Sequence, residues 1–470
     1  MLDTPFSPNR SRLAAVVTAI RDRLAARQLA AGDRLPSIRK LAEDMGVSPS
    51  TVVEAYDRLV AEGLIRARKG SGFYVADQLP PPLKLAESEA ERPRSIDPFW
   101  VSRQSLDSAP GSSRPGCGWL PPDWMPNAAL AAGLKAASRR VEALTAYGTS
   151  RGSAALRKLL ASRLYDQGLP VQEEQLILTG SGTQSLDLIC RLLLRPGDGV
   201  IVDDPSYFNF QTSLKAHQVR IIPVPMTPQG PDIEAFETAV NREKPRLYLT
   251  NSALHNPTGA TLSPQIAFRL LSIVTRAEML VIEDDIFTDF EPDPSLTYPR
   301  LDGLERVIRI GSFSKTLSAS LRCGYIATRP DWIKALTDLQ IACHFGGPSP
   351  LITDMVQHVL SGGAYRRHLD QLRSRLAASR SQVAERLAGL GVTPWLMPRG
   401  GFYLWCRLPE GIGSSDVAQR ALQAGVIFAP GNVFSPSLTA ETFMRFNVAH
   451  MDDARPWRAL EAALAAGRGN

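Results

Sequence analysis

Between residues 175 and 311, short β-rich runs alternate with helical patterns. The runs are 175–179, 199–203, 219–224, 246–249, 280–283 and 307–311, and the helical stretches between them include 185–194 and 264–277. A chain with this alternation buries its apolar residues as a mostly parallel sheet with helices on both faces. A later helical stretch, 363–390, precedes runs at 402–407 and 442–449, which predicts a smaller α+β subdomain at that end. In open α/β sheets ligands bind in the loops that follow the strands, so the chemistry is sought there.

With 470 residues the chain is long enough for two or more domains, and 44% hydrophobic residues suffice to build real cores. No apolar run approaches the roughly 18–20 residues that span a bilayer. The opening MLDTPFSPNRSR carries no apolar stretch of the secretory kind. The five cysteines, Cys117, Cys190, Cys323, Cys343 and Cys406, are scattered and form no Cys-x-x-Cys pair. A disulfide framework or a zinc site is not expected, and a cytoplasmic setting is.

Charge is unevenly placed. Residues 1–75 hold 12 Lys/Arg against 8 Asp/Glu, a net of +4 out of +6 for the whole chain. That excess predicts an N-terminal module that meets a polyanion. Leu13, Val16, Val17, Ile20 and Leu24 lie at helical spacing within 10–28, and Gly32 ends that region. Pro36-Ser37 opens a second helix with Ile38, Leu41 and Ala42 as its apolar stripe. Met45-Gly46-Val47 makes a turn, Ser48 caps a third helix over 50–61, and Pro49 suits its first position. Runs at 64–68 and 72–75 flank Lys69-Gly70-Ser71-Gly72, which is hairpin chemistry.

Two short helices joined by a glycine turn place the second in a major groove. Ser48, Ser50 and Thr51 then offer hydroxyls to phosphates or base edges, with Ser37, Arg34 and Arg39 beside the preceding helix. Arg66, Arg68 and Lys69 lie at the wing. Those arguments alone leave open a small packing domain without a ligand. The run Gly32-x-Arg34-Leu35-Pro36-Ser37-Ile38-Arg39-x-Leu41-Ala42, then Val47-Ser48-x-Ser50-Thr51-Val52-x-x-Ala55-Tyr56, ending in Glu62-Gly63-Leu64-Ile65, resembles the GntR family of bacterial regulators. The resemblance covers nearly all of 10–76 and implies a winged helix-turn-helix that binds double-stranded operator DNA as a dimer.

Residues 77–115 hold Pro80-Pro81-Pro82, a charged stretch over 87–94 and a Ser/Pro/Gly-rich end, which reads as a semi-extended tether. Phe99 and Trp100 are exceptions, expected to dock on the domain that follows. The organisation is thus a head over 8–76, a linker over 77–115 and a body over 116–466.

Several motifs stand at loops of the body. Gly180-Ser181-Gly182-Thr183 joins a strand to a helix, where backbone N–H groups can take a phosphate. Asp204-Pro205-Ser206-Tyr207 presents an aromatic, and His255-Asn256-Pro257-Thr258-Gly259 an amide. Glu283-Asp284-Asp285 ends a fourth strand; three carboxylates suggest a metal, but their companions suit an organic cofactor better. Ser312-Phe313-Ser314-Lys315, with Arg322 seven residues on, offers an amine that can condense with an aldehyde, beside phosphate-binding groups. Singly each reads as ordinary structure. Together and in this order they resemble the fold-type I aminotransferases, which bind pyridoxal 5′-phosphate (PLP), over about 115–465.

That resemblance implies roles. Lys315 carries the cofactor and shuttles protons, Asp284 pairs with the ring nitrogen, Asn256 donates to the ring oxygen and Tyr207 stacks on the ring. Ser181, Gly182, Thr183, Ser312, Ser314 and Arg322 contact the phosphate. Tyr147, in Ala146-Tyr147-Gly148-x-x-x-Gly152, reaches the partner subunit's phosphate, which implies a homodimer. Arg445, in Met444-Arg445-Phe446-Asn447, grips the substrate α-carboxylate; its other reading is a strand-end ion pair. The pattern usually has a tyrosine three residues after the aspartate, where this chain has Phe287. Unless another hydroxyl substitutes, transamination is left open while PLP binding is still expected.

A GntR-like head on an aminotransferase-like body resembles the MocR subfamily of bacterial regulators. It implies a PLP-dependent transcriptional regulator that senses an amino acid or amine. The alternatives are a working aminotransferase with an attached DNA-binding domain, and a constitutive DNA binder that uses its body only to dimerise.

Overall fold

The computed structural model describes residues 12–468 apart from 27, 30, 31, 69, 77–96 and 110. They form two compact units, one up to residue 76 and one from residue 97 on.

In the first unit α1 (Arg12–Ala25), α2 (Ile38–Asp44) and α3 (Pro49–Ala61) precede β1 (Ile65–Arg68) and β2 (Gly72–Val75), which pair antiparallel. The stripe of α1 buries Val16, Val17 and Ile20 in one cluster with Leu41 of α2 and Val52, Tyr56 and Leu59 of α3. The Tyr56 hydroxyl donates to Pro36 O at 2.7 Å, so the ring packs without stranding its polar end. Gly46, at φ 61°, makes the bend between α2 and α3 that a side chain would strain. Ser48 caps α3 by accepting from Thr51 N at 3.2 Å. The fold is a winged helix-turn-helix. Lys69 of the expected wing lies outside the described residues.

The second unit is built on an eight-stranded sheet. Its strands are β3 (Leu176–Thr179), β4 (Gly199–Asp204), β5 (Arg220–Thr227), β6 (Gly230–Pro231), β7 (Leu247–Thr250), β8 (Leu280–Asp284), β9 (Val307–Ser312) and β10 (Gly324–Ala327). Their order is β3-β10-β9-β8-β7-β4-β5-β6. The β5-β4-β7-β8-β9 block is parallel; β10 runs antiparallel to both its neighbours, and β6 to β5. Strands such as β3 (LILT) and β7 (LYLT) are buried throughout, as helices on both faces require. The expected runs are all found; β6 and β10 are additions. A smaller sheet, β11 (Thr393–Pro394), β12 (Tyr403–Arg407), β13 (Ala429–Pro430) and β14 (Phe443–Asn447), has the order β11-β12-β14-β13. It shares an apolar cluster with Leu376 and Val383 of the helix Gly363–Gly389.

Residues 97–115 correct the expected linker boundary. They hold a helix, α4 (Trp100–Leu106), whose Trp100 and Val101 join the core of the smaller sheet, while Phe99 stays exposed. Ser113 then pairs with the body: its N donates to Gly425 O at 3.1 Å and its O accepts from Ile427 N at 2.9 Å. Gly/Ser/Pro-rich composition does not separate a tether from a strap laid along a sheet. Residues 77–96, the rest of the expected linker, lie outside the described residues. The five cysteines are free, and no helix among the described residues is long and apolar enough to cross a membrane.

Candidate functional site

Lys315 follows β9, Asp284 ends β8, and Asn256 sits in the turn beyond β7, so adjacent parallel strands deliver all three to one edge of the sheet. Lys315 Nζ donates to Gly118 O at 2.6 Å. Burial, with help from the nearby Arg445 charge, lowers its pKa to about 8. An amine of that kind is part neutral near physiological pH and therefore nucleophilic.

Asp284 is buried, and its Oδ1 has no hydrogen-bond partner. Burial first, and the neighbouring Asp285 second, push its carboxyl up to about 7. The other two carboxylates of the triplet face elsewhere. Glu283 accepts from Tyr298 N at 2.9 Å, and Asp285 pairs with Arg309 at 2.6 Å. The three do not converge, and no metal-holding cluster of His, Cys, Asp and Glu occurs among the described residues.

Arg445 lies in β14 and is fully buried, with 0% of its surface exposed. Its Nη1 donates to Asn256 Oδ1 at 2.7 Å and its Nη2 to Gly116 O at 2.8 Å, while Nε has no partner. Its guanidinium carbon lies 4.1 Å from the Tyr403 ring centre and 4.6 Å from that of Phe434. Among the described residues no carboxylate pairs with it, so the strand-end ion pair is not formed. A buried cation without a counter-ion is costly, and a ligand carboxylate would relieve that cost. Because arginine only donates, it also fixes the Asn256 amide: Oδ1 faces Arg445, and Nδ2 is left to donate elsewhere.

The Asn256 turn is braced from below. Asp203 accepts from Tyr248 Oη and Thr250 Oγ1, both at 2.6 Å, and His255 Nε2 approaches it to 3.3 Å. Tyr207 is partly buried beside Phe208 and Phe210, and burial with the Asp284 charge pushes its phenol up to about 12.

The expected phosphate contacts also meet. Ser181 caps the helix Gly182–Leu193, accepting from Gln184 N at 3.0 Å. The open N–H groups of its first turn, Gly182 and Thr183 among them, form an anion-binding end. A Cβ on Gly182 would stand 3.8 Å from that of Ser312, which brings the two loops together. Ser312 Oγ donates to Ser314 Oγ at 3.0 Å. Arg322 is exposed just before β10, at φ 50°, and its charge reaches Lys315. Tyr147 is not part of this group: it is 82% exposed, against Phe345 at 5.2 Å.

In the head, Ser48 Oγ lies 2.8 Å from both Ser50 Oγ and Thr51 Oγ1, so three hydroxyls cluster at the start of α3. Ser37 caps α2 by accepting from Lys40 N at 3.3 Å. Arg34 and Arg39 are exposed, and Arg34 bridges to Tyr74 of the wing strand.

Residues 13–75 match the bacterial regulatory proteins of the gntR family, and residues 121–462 match aminotransferase class I and II. The chain is 31% identical over 429 residues to the probable rhizopine catabolism regulatory protein MocR of Rhizobium meliloti, covering 87% of this chain and 84% of that protein. The chain belongs to the MocR-type regulators. An uncharacterized HTH-type transcriptional regulator of Escherichia coli, YdcR, is 29% identical over 448 residues, covering 92% of this chain and 93% of its own. The crystal structure of LysN, the α-aminoadipate aminotransferase of Thermus thermophilus complexed with N-(5′-phosphopyridoxyl)-L-leucine, matches with a TM-score of 0.71. It is 26% identical and covers 78% of this chain and 95% of its own.

The cofactor of this MocR-type body is that of its aminotransferase fold, PLP. The residues fit it. Asp284 Oδ1 is orphaned where a protonated ring nitrogen would be matched, Asn256 has a donor to spare, and a buried lysine amine and a serine-lined helix end complete the set.

Sequence reasoning missed the strap over 113–118, whose Gly116 and Gly118 carbonyls hold Arg445 and Lys315. It also missed Asp203, Tyr403 and Phe434. The signal available for the strap was Gly116-Cys117-Gly118 ahead of an apolar Trp119-Leu120. A Cβ on Gly116 would stand 2.4 Å from Ala429 N, a backbone clash, whereas one on Gly118 would meet only Tyr403 Oη at 3.4 Å and Lys315 Nζ at 3.6 Å. Gly116→Ala is therefore expected to cost about 1–3 kcal/mol in thermal or urea unfolding of the body. Gly118→Ala is expected to cost under about 1 kcal/mol.

Proposed function

We propose that the body senses an amino acid through PLP held on Lys315, and that occupancy of this site alters operator binding by the head. The observation that carries the reading is Arg445, a buried guanidinium without a counter-ion beside a partly neutral lysine amine. One anchor suits an α-carboxylate and the other an α-amino group, and bidentate recognition suits arginine.

Bound PLP supplies an aldehyde for amine attachment and a ring that withdraws electrons. The chain's residues do the rest. Asp284 holds a proton on the ring nitrogen, and Asn256 Nδ2 donates to the ring oxygen. Tyr207 covers the ring. Ser181, Gly182, Thr183, Ser312, Ser314 and Arg322 hold the phosphate, and the Lys315 amine carries protons. In the head, Arg34, Ser37, Arg39, Ser48, Ser50 and Thr51 meet the operator. Tyr147, with Val141, Leu144 and Phe345 exposed near it in sequence or space, serves the partner of a homodimer. Any coupling between the two sites is limited to the ligand's differential affinity for two arrangements, and it is reciprocal.

A second reading, a working aminotransferase, is favoured by the complete set of Lys315, Asp284, Asn256 and Arg445. Against it, Phe287 is buried on Phe290, Phe402 and Tyr403 and brings no hydroxyl to the site. The visible spectrum of the PLP-loaded protein, titrated with amino acids and then a 2-oxo acid, separates the readings. A ligand-induced change that stops short of turnover, together with changed operator affinity, is the expected result. Full reversal by the oxo acid supports the aminotransferase. Lys315→Ala that leaves ligand-dependent operator binding unchanged sinks the sensor reading.

A further inference from the structure

We propose that Asn251 is a positioning residue for Asp284: its amide, standing where the β7–β8 ladder ends, grips both the backbone carbonyl and the carboxyl of that one residue. The inference rests on the reading above, in which Asp284 meets the ring nitrogen of PLP.

β7 and β8 pair in parallel, and their register ends with Thr250 opposite Glu283. The next residue along each chain is Asn251 on one side and Asp284 on the other. Asn251 lies just past the end of β7 and is fully buried. Where a ladder ends, buried backbone groups need partners from elsewhere. Here a side chain supplies one: Asn251 Nδ2 donates to Asp284 O at 2.6 Å. A carbonyl only accepts, so this contact fixes the amide with Nδ2 toward Asp284 and Oδ1 turned away. Asn251 Oδ1 has no partner among the described residues. A buried acceptor left unpaired is costly, and a hydroxyl could end the ladder without that cost. What an amide adds is a second N–H on the same nitrogen.

That amide also meets the Asp284 carboxyl. Burial, and then the Asp285 charge, disfavour the carboxylate there; the hydrogen bond from Asn251 comes first among the interactions that favour it, ahead of the Lys315 charge and the Ile286 N–H. Tyr207 also faces Asp284 and keeps its proton, because burial pushes its phenol up to about 12. The two charged neighbours are engaged elsewhere: Asp285 pairs with Arg309 at 2.6 Å, and the Lys315 amine donates to Gly118 O at 2.6 Å. Asn251 is therefore the side chain that holds the Asp284 carboxyl directly. A grip on both ends of one residue restricts the rotation of its carboxyl, and Oδ1 is left without a partner, ready for another donor.

The deciding test needs no cofactor. The full-length protein, stripped of PLP, is unfolded in urea from about pH 5 to about pH 9 as wild type, Asn251→Leu, Asp284→Asn and the double variant. Leucine keeps the shape of asparagine and brings no donor. In the folded wild type Asp284 titrates at about 7, so its contribution is present at low pH and is lost as pH rises through that value. Without the amide the folded value should rise by about half to one pH unit. Wild type and Asn251→Leu should then run parallel below about pH 6 and part above it, with a further three- to tenfold shift of the unfolding equilibrium against the variant, roughly as that pH shift requires. In the Asp284→Asn background the leucine substitution should shift stability equally at every pH. Lys315 titrates in the same window in all four proteins and cancels in the comparison. Parallel curves in the wild-type background, as a mere ladder cap would give, overturn the proposal. The same divergence in the Asp284→Asn background also overturns it. Asn251→Ser, with one donor in place of two, takes over if the leucine variant does not fold, and is judged by the same divergence. PLP uptake, read by visible absorbance, judges the functional reading separately: a wild type that takes up no PLP refutes that reading, while the unfolding comparison still decides the role of Asn251.

Discussion

Asp284→Asn is expected to lower the affinity for PLP by roughly a hundredfold or more, as loss of one partner of a buried charge pair costs about 3–5 kcal/mol. The same substitution is expected to stabilise the cofactor-free protein above neutral pH. In the empty site the Asp284 carboxyl is raised to about 7, while an unfolded chain returns it to the ordinary carboxylate value. The folded state therefore binds more protons than the unfolded state between those two values. Stability from this group is fully present below the unfolded value and is lost as pH rises through about 7. Asparagine has no proton to lose and escapes that loss. Thermal unfolding of both proteins at pH 5 and pH 8 checks the point: without PLP the variant gains on the wild type as pH rises, and with PLP the order reverses. A variant that binds PLP as tightly as the wild type would remove Asp284 from the ring nitrogen.

The pH dependence of PLP uptake follows from the same two groups. Uptake needs Asp284 ionised and Lys315 neutral, and their values of about 7 and about 8 lie close together. Uptake should therefore rise with pH through that window, and Asp284→Asn should leave only the upper step. Burial has moved Asp284 toward the protonated form that the cofactor needs least, a mismatch the cofactor relieves, and has moved Lys315 toward the neutral form that the cofactor needs. Such sites commonly trade stability for function.

What the sequence made legible follows from where the information lies. Buried strands read as apolar runs, so β3, β4, β5, β7, β8 and β9 could be located from residues alone. The loops after them carry short motifs whose order is as informative as their content, which is why Asn256, Asp284 and Lys315 were found together. β10 was missed because Gly324-Tyr325-Ile326-Ala327 runs antiparallel to both its neighbours and follows only a short 3-10 helix, Ala319–Leu321, and the Arg322 turn, so no α-helical stretch announces it. The strap over 113–118 was read as tether because its glycines and serines suit either. Its glycines prove to be steric: Gly116 is packed against the backbone of Phe428 and Ala429, more than 300 residues away in sequence. Tyr403 and Phe434 were missed for a related reason. Each looks like an ordinary core aromatic, and only the register of β12 on β14 places one beside Arg445. The Asp203 brace depends likewise on neighbouring strands that are far apart in the chain.

Arg445→Leu separates an amino-acid sensor from an amine sensor. Removing the guanidinium takes away a buried cation that has no counter-ion in the empty site, so the cofactor-free protein should lose little stability despite the loss of contacts to Asn256 and Gly116. Binding of an α-amino acid should fall by about 3 kcal/mol or more, roughly a hundredfold, because its carboxylate would then be buried unpaired. Binding of the corresponding amine, which has no carboxylate, should be unchanged or improved. Arg445→Lys should recover only part of the amino-acid affinity, since an ammonium cannot hold Asn256, Gly116 and a carboxylate in one plane. Titration of the PLP-loaded variants with each amino acid and its decarboxylated amine, read by visible absorbance, gives both affinities. Equal losses for the two ligands would mean that Arg445 only orders the pocket. A loss confined to the amino acid would assign it the carboxylate. If the wild type binds only the amine, the buried guanidinium must serve another anionic group of the effector, and the carboxylate reading falls.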